Sequence, residues 1–323
     1  SFMVTIIPLI LLGVISYHLS SNAIRDKVQQ SMQETVLKAS EYIDLLFSNV
    51  EELSLQIFMN EDIQDYFTNE YSDDMTYEKL QTRQRVESLL NGLTISKNYI
   101  SCISIFGRNN DYLTTGSYSV YGFEYSALEN TGIYKNLSDN KTQKLWVSRH
   151  EEIDKHVGNQ KIDYSASLLR PLKRMATQET IGVIAVDLKT SYIKEELLGQ
   201  IHLGNGTEIH LISPDIYDIT PVKANSESGE TKSILEEPFF ETEIMNTSLL
   251  EGSKEVLYGG KKYIMSFAKM KTPGFILVGL VPMSELLSAA NTIRNSTIIL
   301  ILISALVAIL WGIYIARGMS RTI

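Results

Sequence analysis

The stretch IGVIAVDLKTSYIKEELL, residues 181–198, is typical of an apolar strand, a short break and an amphipathic helix. A second stretch, GFILVGLVPMSELLSAA at residues 274–290, contains the same three parts in the same order. The apolar and β-branched residues that open each stretch favour a central strand. This repetition predicts two copies of one architecture in series, and the mixture of strands and helices predicts an α+β fold.

Strand and turn patterns precede each of these stretches. The first predicted module, 99–194, begins with a strand, a polar turn at residues 107–111 and a second strand. We predict that this module is a sheet with helices on one side. The second predicted module, 195–282, contains a hairpin with two glycines at 259–260, which suit a tight turn. Within it, residues 213–251 are mostly polar and predict a loop.

A long helix is predicted before the first module, because neither Gly nor Pro interrupts the chain from Leu19 to Asn60. We assign residues 22–60 to this stalk helix and residues 61–98 to a helical lead-in. Apolar residues recur along the stalk in steps of three and four, at Val36, Ala39, Ile43, Leu46, Val50, Leu53 and Ile57. Such a seam packs either on the protein's own modules or on a second copy of the chain, and the sequence leaves both open.

Both ends of the chain are apolar enough to predict membrane spans. Residues 2–21 and 297–316 carry no charge, and about twenty helical residues cross a hydrocarbon core of about 30 Å. A cleaved signal peptide is the rival interpretation of the first segment, and a buried core helix is the rival for the second. Arg317 and Arg321 predict a cytoplasmic C-terminus. An exit helix at 283–296 would join the second module to the second span.

Several classes of function are excluded or disfavoured by composition. A formal net charge of -9 disfavours nucleic-acid binding, which requires a basic surface. The single cysteine, Cys102, excludes an internal disulfide. No nucleophile motif or phosphate-binding loop is present, and the acidic, histidine-containing stretch RHEEIDKH at 149–156 has no zinc-like spacing. We therefore predict no catalytic residue, no metal and no cofactor in this chain.

The arrangement resembles the extracellular double Cache (tandem PAS-like) sensor of bacterial receptors, most closely that of YesM-type sensor histidine kinases. The residues that carry the resemblance are the first span with its long helix, LWVSRHEE, IGVIAVDL, KKYIMSFAKMKTPGFILVGLVP, and the second span running into ARGMSRTI. The resemblance implies a membrane-bound homodimer in contact with lipid, with its sensor region outside the cell. It further implies that residues 317–323 begin a HAMP-like linker to a kinase that acts on a cytoplasmic response regulator.

Ligands of this family usually enter the membrane-distal module. Amino-acid-binding relatives carry Arg-x-Trp, then Tyr-x-Asp, then an Asp at the end of the last strand. Here Lys144 stands in the Arg position before Trp146, Tyr164 precedes Ala166 instead of Asp, and Asp187 keeps its place. The loss of one carboxylate weakens a site for an ammonium group.

The resemblance therefore implies a pocket for a small molecule, a sugar or a short peptide in the distal module, with aromatic faces beside polar groups. Its predicted lining residues are Tyr121, Trp146, Tyr164, Arg170 and Asp187. The same sensor on a chemotaxis receptor or on a membrane-bound transcription regulator is the alternative to a kinase. An adhesion protein without a signalling role is disfavoured, because neither Gly nor Pro interrupts the exit helix.

Overall fold

The structure is a computed structural model that describes residues 2–68, 77–139, 143–204, 206–219, 233–272 and 274–285, together with short stretches between 295 and 311. The helices are α1 (Phe2–Phe58), α2 (Glu61–Thr68), α3 (Tyr77–Ser96), α4 (Tyr125–Glu129), α5 (Gly132–Asp139) and α6 (Glu151–Asp154). The strands are β1 (Ile100–Gly107), β2 (Tyr112–Gly116), β3 (Leu145–Val147), β4 (Ala166–Lys173), β5 (Thr180–Leu188), β6 (Glu208–Ile212), β7 (Glu251–Tyr258), β8 (Lys261–Lys269) and β9 (Ile276–Pro282).

Helix α1 packs its apolar seam against the protein's own strands. Six seam residues are buried, namely Val36, Ile43, Leu46, Val50, Leu53 and Ile57. In the middle of this seam, Asp44 accepts hydrogen bonds from the backbone N–H groups of Lys271 (2.7 Å) and Thr272 (2.8 Å), which follow β8. Of the two packing partners that the sequence left open, the structure shows the protein's own sheets.

The first sheet is antiparallel, with strand order β2-β1-β5-β4-β3. Side chains alternate between its two faces, so that β5 directs Ile184 and Val186 toward α1 and directs Ala185 and Asp187 away from it. Helices α4, α5 and α6 cover this second face. The prediction of helices on one side of the sheet is therefore wrong, because the short helices of the 117–165 connection were not recognised in the sequence.

The second sheet is also antiparallel, with strand order β6-β9-β8-β7. The predicted hairpin is confirmed: Tyr258 pairs with Lys261, and Gly259 and Gly260 have φ of 55° and 79°, which glycine adopts without strain. At Gly279 a Cβ atom would lie 3.1 Å from Val36, because α1 approaches β9 closely.

Short helical turns interrupt the region that the sequence predicted as a loop. The turns Ile234–Glu236 and Phe240–Met245 bury Ile234, Phe240 and Ile244 against the face of the second sheet that lies away from α1. The two sheets lie within the two predicted modules, and the independence of these modules stays a prediction.

No helix within the described parts of the chain combines the length and the apolar character that crossing a membrane requires. The predicted first span forms the beginning of α1. Most of the exit helix and of the second span, and the whole predicted HAMP-like segment at 317–323, lie outside the described residues.

We predict that Phe47→Ala lowers the free energy of unfolding by about 3–5 kcal/mol. Phe47 is fully buried, and its ring centroid lies 4.8 Å from that of Trp146 and 4.4 Å from that of Phe275. Leu45→Ala is the matched control, because the Leu45 side chain is 59% exposed and its removal should change stability by less than about 0.5 kcal/mol. Chemical denaturation of the full chain in detergent measures both, and equal effects would contradict this packing.

Candidate functional site

A buried polar cluster lies on the face of the first sheet that points away from α1. Asp187, near the end of β5, is completely buried, and both of its carboxylate oxygens have partners. His150 Nε2 lies 2.9 Å from Oδ1, and the Tyr118 hydroxyl donates to Oδ2. A buried carboxylate is stable only when such partners compensate its lost hydration.

His150 and Tyr164 form the second half of this cluster. Their rings stack with centroids 4.6 Å apart, and the His150 backbone N–H donates to the Tyr164 hydroxyl at 3.0 Å. That hydroxyl donates to the Asp154 carboxylate at 2.8 Å, and His150 Nδ1 lies 3.2 Å from Asp154 Oδ1. The imidazole is thus held between two carboxylates, one from α6 and one from β5.

The two carboxylates keep His150 charged. Burial alone would lower the pKa of His150, but the charges and hydrogen bonds of Asp187 and Asp154 outweigh burial and raise this pKa to about 10. Burial, reinforced by the negative charge of Asp187, raises the pKa of Tyr118 and of Tyr164. On β1, burial raises the pKa of the Cys102 thiol to about 12, so this thiol is not a nucleophile at neutral pH.

Of the five predicted pocket residues, the structure brings two together in this cluster. Tyr164 and Asp187 are members. Trp146 and Arg170 lie on the opposite face of the same sheet, where Trp146 Nε1 donates to Glu51 at 3.0 Å and Arg170 Nε donates to Ser54 Oγ at 2.8 Å on α1. Tyr121 is 59% exposed and lies in the connection that covers the cluster.

Strand register explains this division. Asp187 pairs with Ser167 and Ser167 pairs with Val147, so these three residues share one face of the sheet. Trp146 is adjacent to Val147 and therefore points to the other face, and Arg170 lies an odd number of positions from Ser167. A pocket that contains all five predicted residues is not present in the described structure.

The predicted lining residues did not include Tyr118, His150 or Asp154. His150 and Asp154 lie in RHEEIDKH, which was considered as a metal-binding stretch. His150 immediately precedes α6 and Asp154 ends it, with His150 Nδ1 3.2 Å from Asp154 Oδ1. Among the described residues, no group of three or more His, Cys, Asp or Glu side chains is arranged to hold a metal ion.

The segment from Trp146 to His150 also contacts the second sheet. The Trp146 and Phe275 rings meet edge to face at 5.7 Å, and Phe275 immediately precedes β9. Asp215, in the turn after β6, accepts hydrogen bonds from Ser148 N–H at 3.0 Å and from Ser148 Oγ at 2.6 Å. Two residues that precede His150, Trp146 and Ser148, therefore contact the other half of the molecule.

The second sheet carries two further features of interest. His210 is buried, with Nδ1 2.7 Å from Asp218 and Nε2 3.7 Å from Glu208. An open cleft of about 390 Å³ lies beside the β7–β8 hairpin, and its lining includes Glu243 and Glu255. Both of these carboxylates are already paired, Glu243 with Lys254 at 2.6 Å and Glu255 with Arg25 at 3.0 Å.

The His150 cluster predicts a specific pH dependence of stability. The folded pKa of about 10 lies above the ordinary value of 6.5, so the protonated ring stabilises the fold fully below about pH 6.5 and this contribution is lost as the pH rises through 10. The difference in melting temperature between the wild type and His150→Gln should therefore shrink between pH 6.5 and 10. His202→Gln, at an exposed histidine, is the control. A difference that is constant with pH would contradict a charged His150.

The sequence between residues 20 and 290 matches the family model of the Cache domain. No curated protein sequence matches the chain. Among solved structures, the extracellular domain of rpHK1S-Z16, a protein assigned as a histidine kinase, superposes with a TM-score of 0.58 at 12% identity, covering 81% of this chain and 98% of that chain.

Two other structures are similar in fold. The ligand binding domain of Mlp24 with asparagine has a TM-score of 0.53 at 15% identity, covering 84% of this chain and 98% of that chain. A domain of a sensory box/GGDEF family protein from Vibrio parahaemolyticus has a TM-score of 0.56 at 10% identity, covering 81% of this chain and 98% of that chain. At these identities the similarity concerns the fold alone. The family match covers most of the sequence, and the chain belongs to the Cache domain family, whose members are extracellular sensor parts of membrane receptors.

Proposed function

We propose that this chain is the ligand-sensing and transmembrane signalling portion of a two-component sensor histidine kinase. The observation that carries the proposal is the Trp146–His150 segment, which joins the buried polar cluster of the first sheet to the second sheet. The resemblance to YesM-type receptors and the kinase assignment of rpHK1S-Z16 favour a kinase as the output. The alternative is the same sensor on a chemotaxis receptor or on a membrane-bound transcription regulator.

The proposed ligand is a small molecule, a sugar or a short peptide that binds in the distal module around Asp187 and Tyr164. Tyr118 and His150 join these two residues in the proposed site. Because all four side chains are buried, a ligand reaches them only when the covering connection between β2 and β4 moves. That movement makes the site suitable for sensing, since a ligand shifts the balance between the covered and the open arrangement.

The path of the signal follows from the contacts of the covering segment. A displacement of His150 moves Ser148 and Trp146, which lie two and four residues away along the chain. Ser148 is hydrogen-bonded to Asp215 in the turn after β6, and the Trp146 ring contacts Phe275 before β9. A movement of the segment therefore shifts both of these residues. Strand β9 leads at Pro282 into the predicted exit helix, so the proposed path ends at the second membrane span.

The proposal places residues 2–21 and 297–316 in the cell membrane, the Cache sensor outside the cell and a HAMP-like linker at 317–323. It includes a homodimer, contact with membrane lipid and a cytoplasmic response regulator as the partner of the kinase. Because the α1 seam is buried within one subunit, a dimer contact through α1 requires its outer face, where Tyr42 and Leu45 are exposed.

Tryptophan fluorescence tests the proposed path. The chain contains two tryptophans, so Trp311→Phe leaves Trp146 as the single reporter at the junction of the two sheets. A panel of amino acids, saccharides and short peptides is first screened by thermal shift of the full chain in detergent. A compound that raises the melting temperature should also change the emission of Trp146.

The Asp215→Asn variant is the matched test of transmission. It weakens the contact to Ser148 without touching the cluster, so the thermal shift should persist while the emission change decreases. An emission change that is unaltered in Asp215→Asn, or a stabilising compound that leaves the Trp146 emission unchanged, would contradict the proposed path.

The proposed topology is tested by cysteine labelling on intact cells. Cysteines placed at the exposed residues Ser96 and Ser138 should react with a membrane-impermeant thiol reagent, whereas a cysteine at Ser320 should react only after the membrane is permeabilised. The native Cys102 is buried and serves as the internal background. Labelling of Ser320→Cys on intact cells would contradict the proposed orientation and place the C-terminus outside the cell.

A further inference from the structure

We propose that His150 is a built-in cation that fills the position of a ligand's ammonium group at Asp187, and that the distal site selects uncharged, hydroxyl-bearing small molecules. The inference rests on the proposed ligand-sensing function and defines the ligand class of that same site. A buried carboxylate whose negative charge is already compensated by a cation of the protein gains little from a second cation on a ligand.

Both carboxylate oxygens of Asp187 already accept a hydrogen bond from inside the protein, and one of these bonds comes from a cation. Oδ1 accepts from His150 Nε2 at 2.9 Å and Oδ2 accepts from the Tyr118 hydroxyl. To pair with Asp187 as the His150 ring does, an incoming ammonium group would have to displace the imidazolium. Such a ligand gains one ion pair only by breaking another, so a positive charge contributes little net affinity.

His150 is held in place from several sides, which makes its displacement costly. Tyr164 stacks on the ring and accepts from the His150 backbone N–H, and Asp154 faces Nδ1. Two residues earlier, Ser148 is hydrogen-bonded to Asp215 in the turn after β6. The groups that face the ring from neighbouring elements are therefore Asp187 of β5, Asp154 of α6, and Tyr118 and Tyr164 of the covering connection.

Charge is balanced within this set. The carboxylates of Asp154 and Asp187 face the His150 imidazolium, and Arg149 adds a second positive charge 3.8 Å from Asp154 and 5.5 Å from the centre of the Tyr164 ring. A ligand with a net charge of either sign would disturb that balance in a buried environment.

Unlike Asp187, two hydroxyl groups beside the cluster have no hydrogen-bond partner among the described residues. Ser167 is the cross-strand neighbour of Asp187 and lies on the same face of the sheet. Its side chain is fully buried, yet its Oγ has no hydrogen-bond partner in the part of the chain that the structure describes. The hydroxyl of Ser165, also largely buried, is likewise without a partner there. Buried hydroxyls are normally paired, so these two point to a ligand that donates and accepts neutral hydrogen bonds, as a saccharide or polyol does.

Chemical rescue tests whether His150 fills a cation position. His150→Ala should lower the melting temperature of the full chain in detergent, because the buried carboxylate of Asp187 and the partly buried carboxylate of Asp154 lose their common partner. Imidazole or methylammonium should then raise the melting temperature of His150→Ala while leaving the wild type and the exposed control His202→Ala unchanged. In His150→Ala combined with Asp187→Asn, this rescue should be lost. A rescue that survives Asp187→Asn, or no rescue at all in folded His150→Ala, overturns the proposal.

A second pair of variants answers the same question if His150→Ala does not fold. Asp187→Asn should destabilise the wild type, but it should not destabilise His150→Gln, in which the carboxylate has no cation to pair with. An equal loss of melting temperature in both backgrounds overturns the role of His150.

Ligand panels test the selected class. Neutral monosaccharides and polyols should include a compound that raises the melting temperature of the wild type, and Ser167→Ala should remove that shift. L-amino acids should give no shift. An amino-acid shift that Asp187→Asn removes overturns the inference while leaving the sensor function intact, and a saccharide panel without any shift overturns the ligand class. Failure of the sensor proposal is recognised separately, by the Trp146 emission.

Discussion

The structure depends on the burial of one face of α1 by two separate sheets. Each sheet has an apolar face that requires a cover, and the same helix supplies it for both. Phe47 is the point where this constraint is tightest, because its ring contacts Trp146 from the first sheet and Phe275 from the second. Polar contacts fix the register along the helix: Asp44 accepts from the turn after β8, and Ser54 accepts from Arg170 of β4. The sheets are thus related to one another through a common rigid element.

That arrangement leaves the other face of the first sheet available for a different purpose. Near one end of its strands this face carries Asp187, Ser167 and Cys102 in one cross-strand row, where a purely structural sheet would carry large apolar residues. Burying a carboxylate there is unfavourable without compensation, and the covering connection supplies His150 and the Tyr118 hydroxyl. The residues that stabilise the cluster therefore come from the covering connection, which is the part of the module that we propose moves when a ligand enters.

Local patterns in the sequence were sufficient to predict the strands and the tight turn. The apolar run at 181–188 became β5, and the paired glycines at 259–260 became a hairpin, because these features depend on neighbouring residues alone. The α1 seam was visible, but the same periodicity suits a self-packed helix and a coiled coil, so its partner could not be predicted.

The site was only half predictable, for a different physical reason. Asp187 and Tyr164 were identified through family resemblance, whereas the faces of Trp146 and Arg170 depend on cross-strand register. A shift of one residue in register reverses every side chain of a strand, and a single sequence does not specify which residue of β3 faces which residue of β4. His150 and Asp154 were missed because the residue that gives their pairing a meaning, the buried Asp187 on β5, lies 37 residues from His150 in the sequence.

The proposed relay depends on residues 146–150, whose side chains contact different parts of the molecule. Trp146 points to α1 and Phe275, its neighbour Val147 joins the core beside the cluster, Ser148 binds Asp215, and His150 closes on Asp187. Within five residues the chain contacts the stalk helix, the second sheet and the buried carboxylate. Strand β3 is only three residues long, so few ladder hydrogen bonds hold this segment in one position. A short edge strand has fewer ladder hydrogen bonds to break than the central strands β1 and β5, and is therefore easier to displace as a unit. The contacts of Trp146, Ser148 and His150 at its ends are then the ones that such a displacement changes.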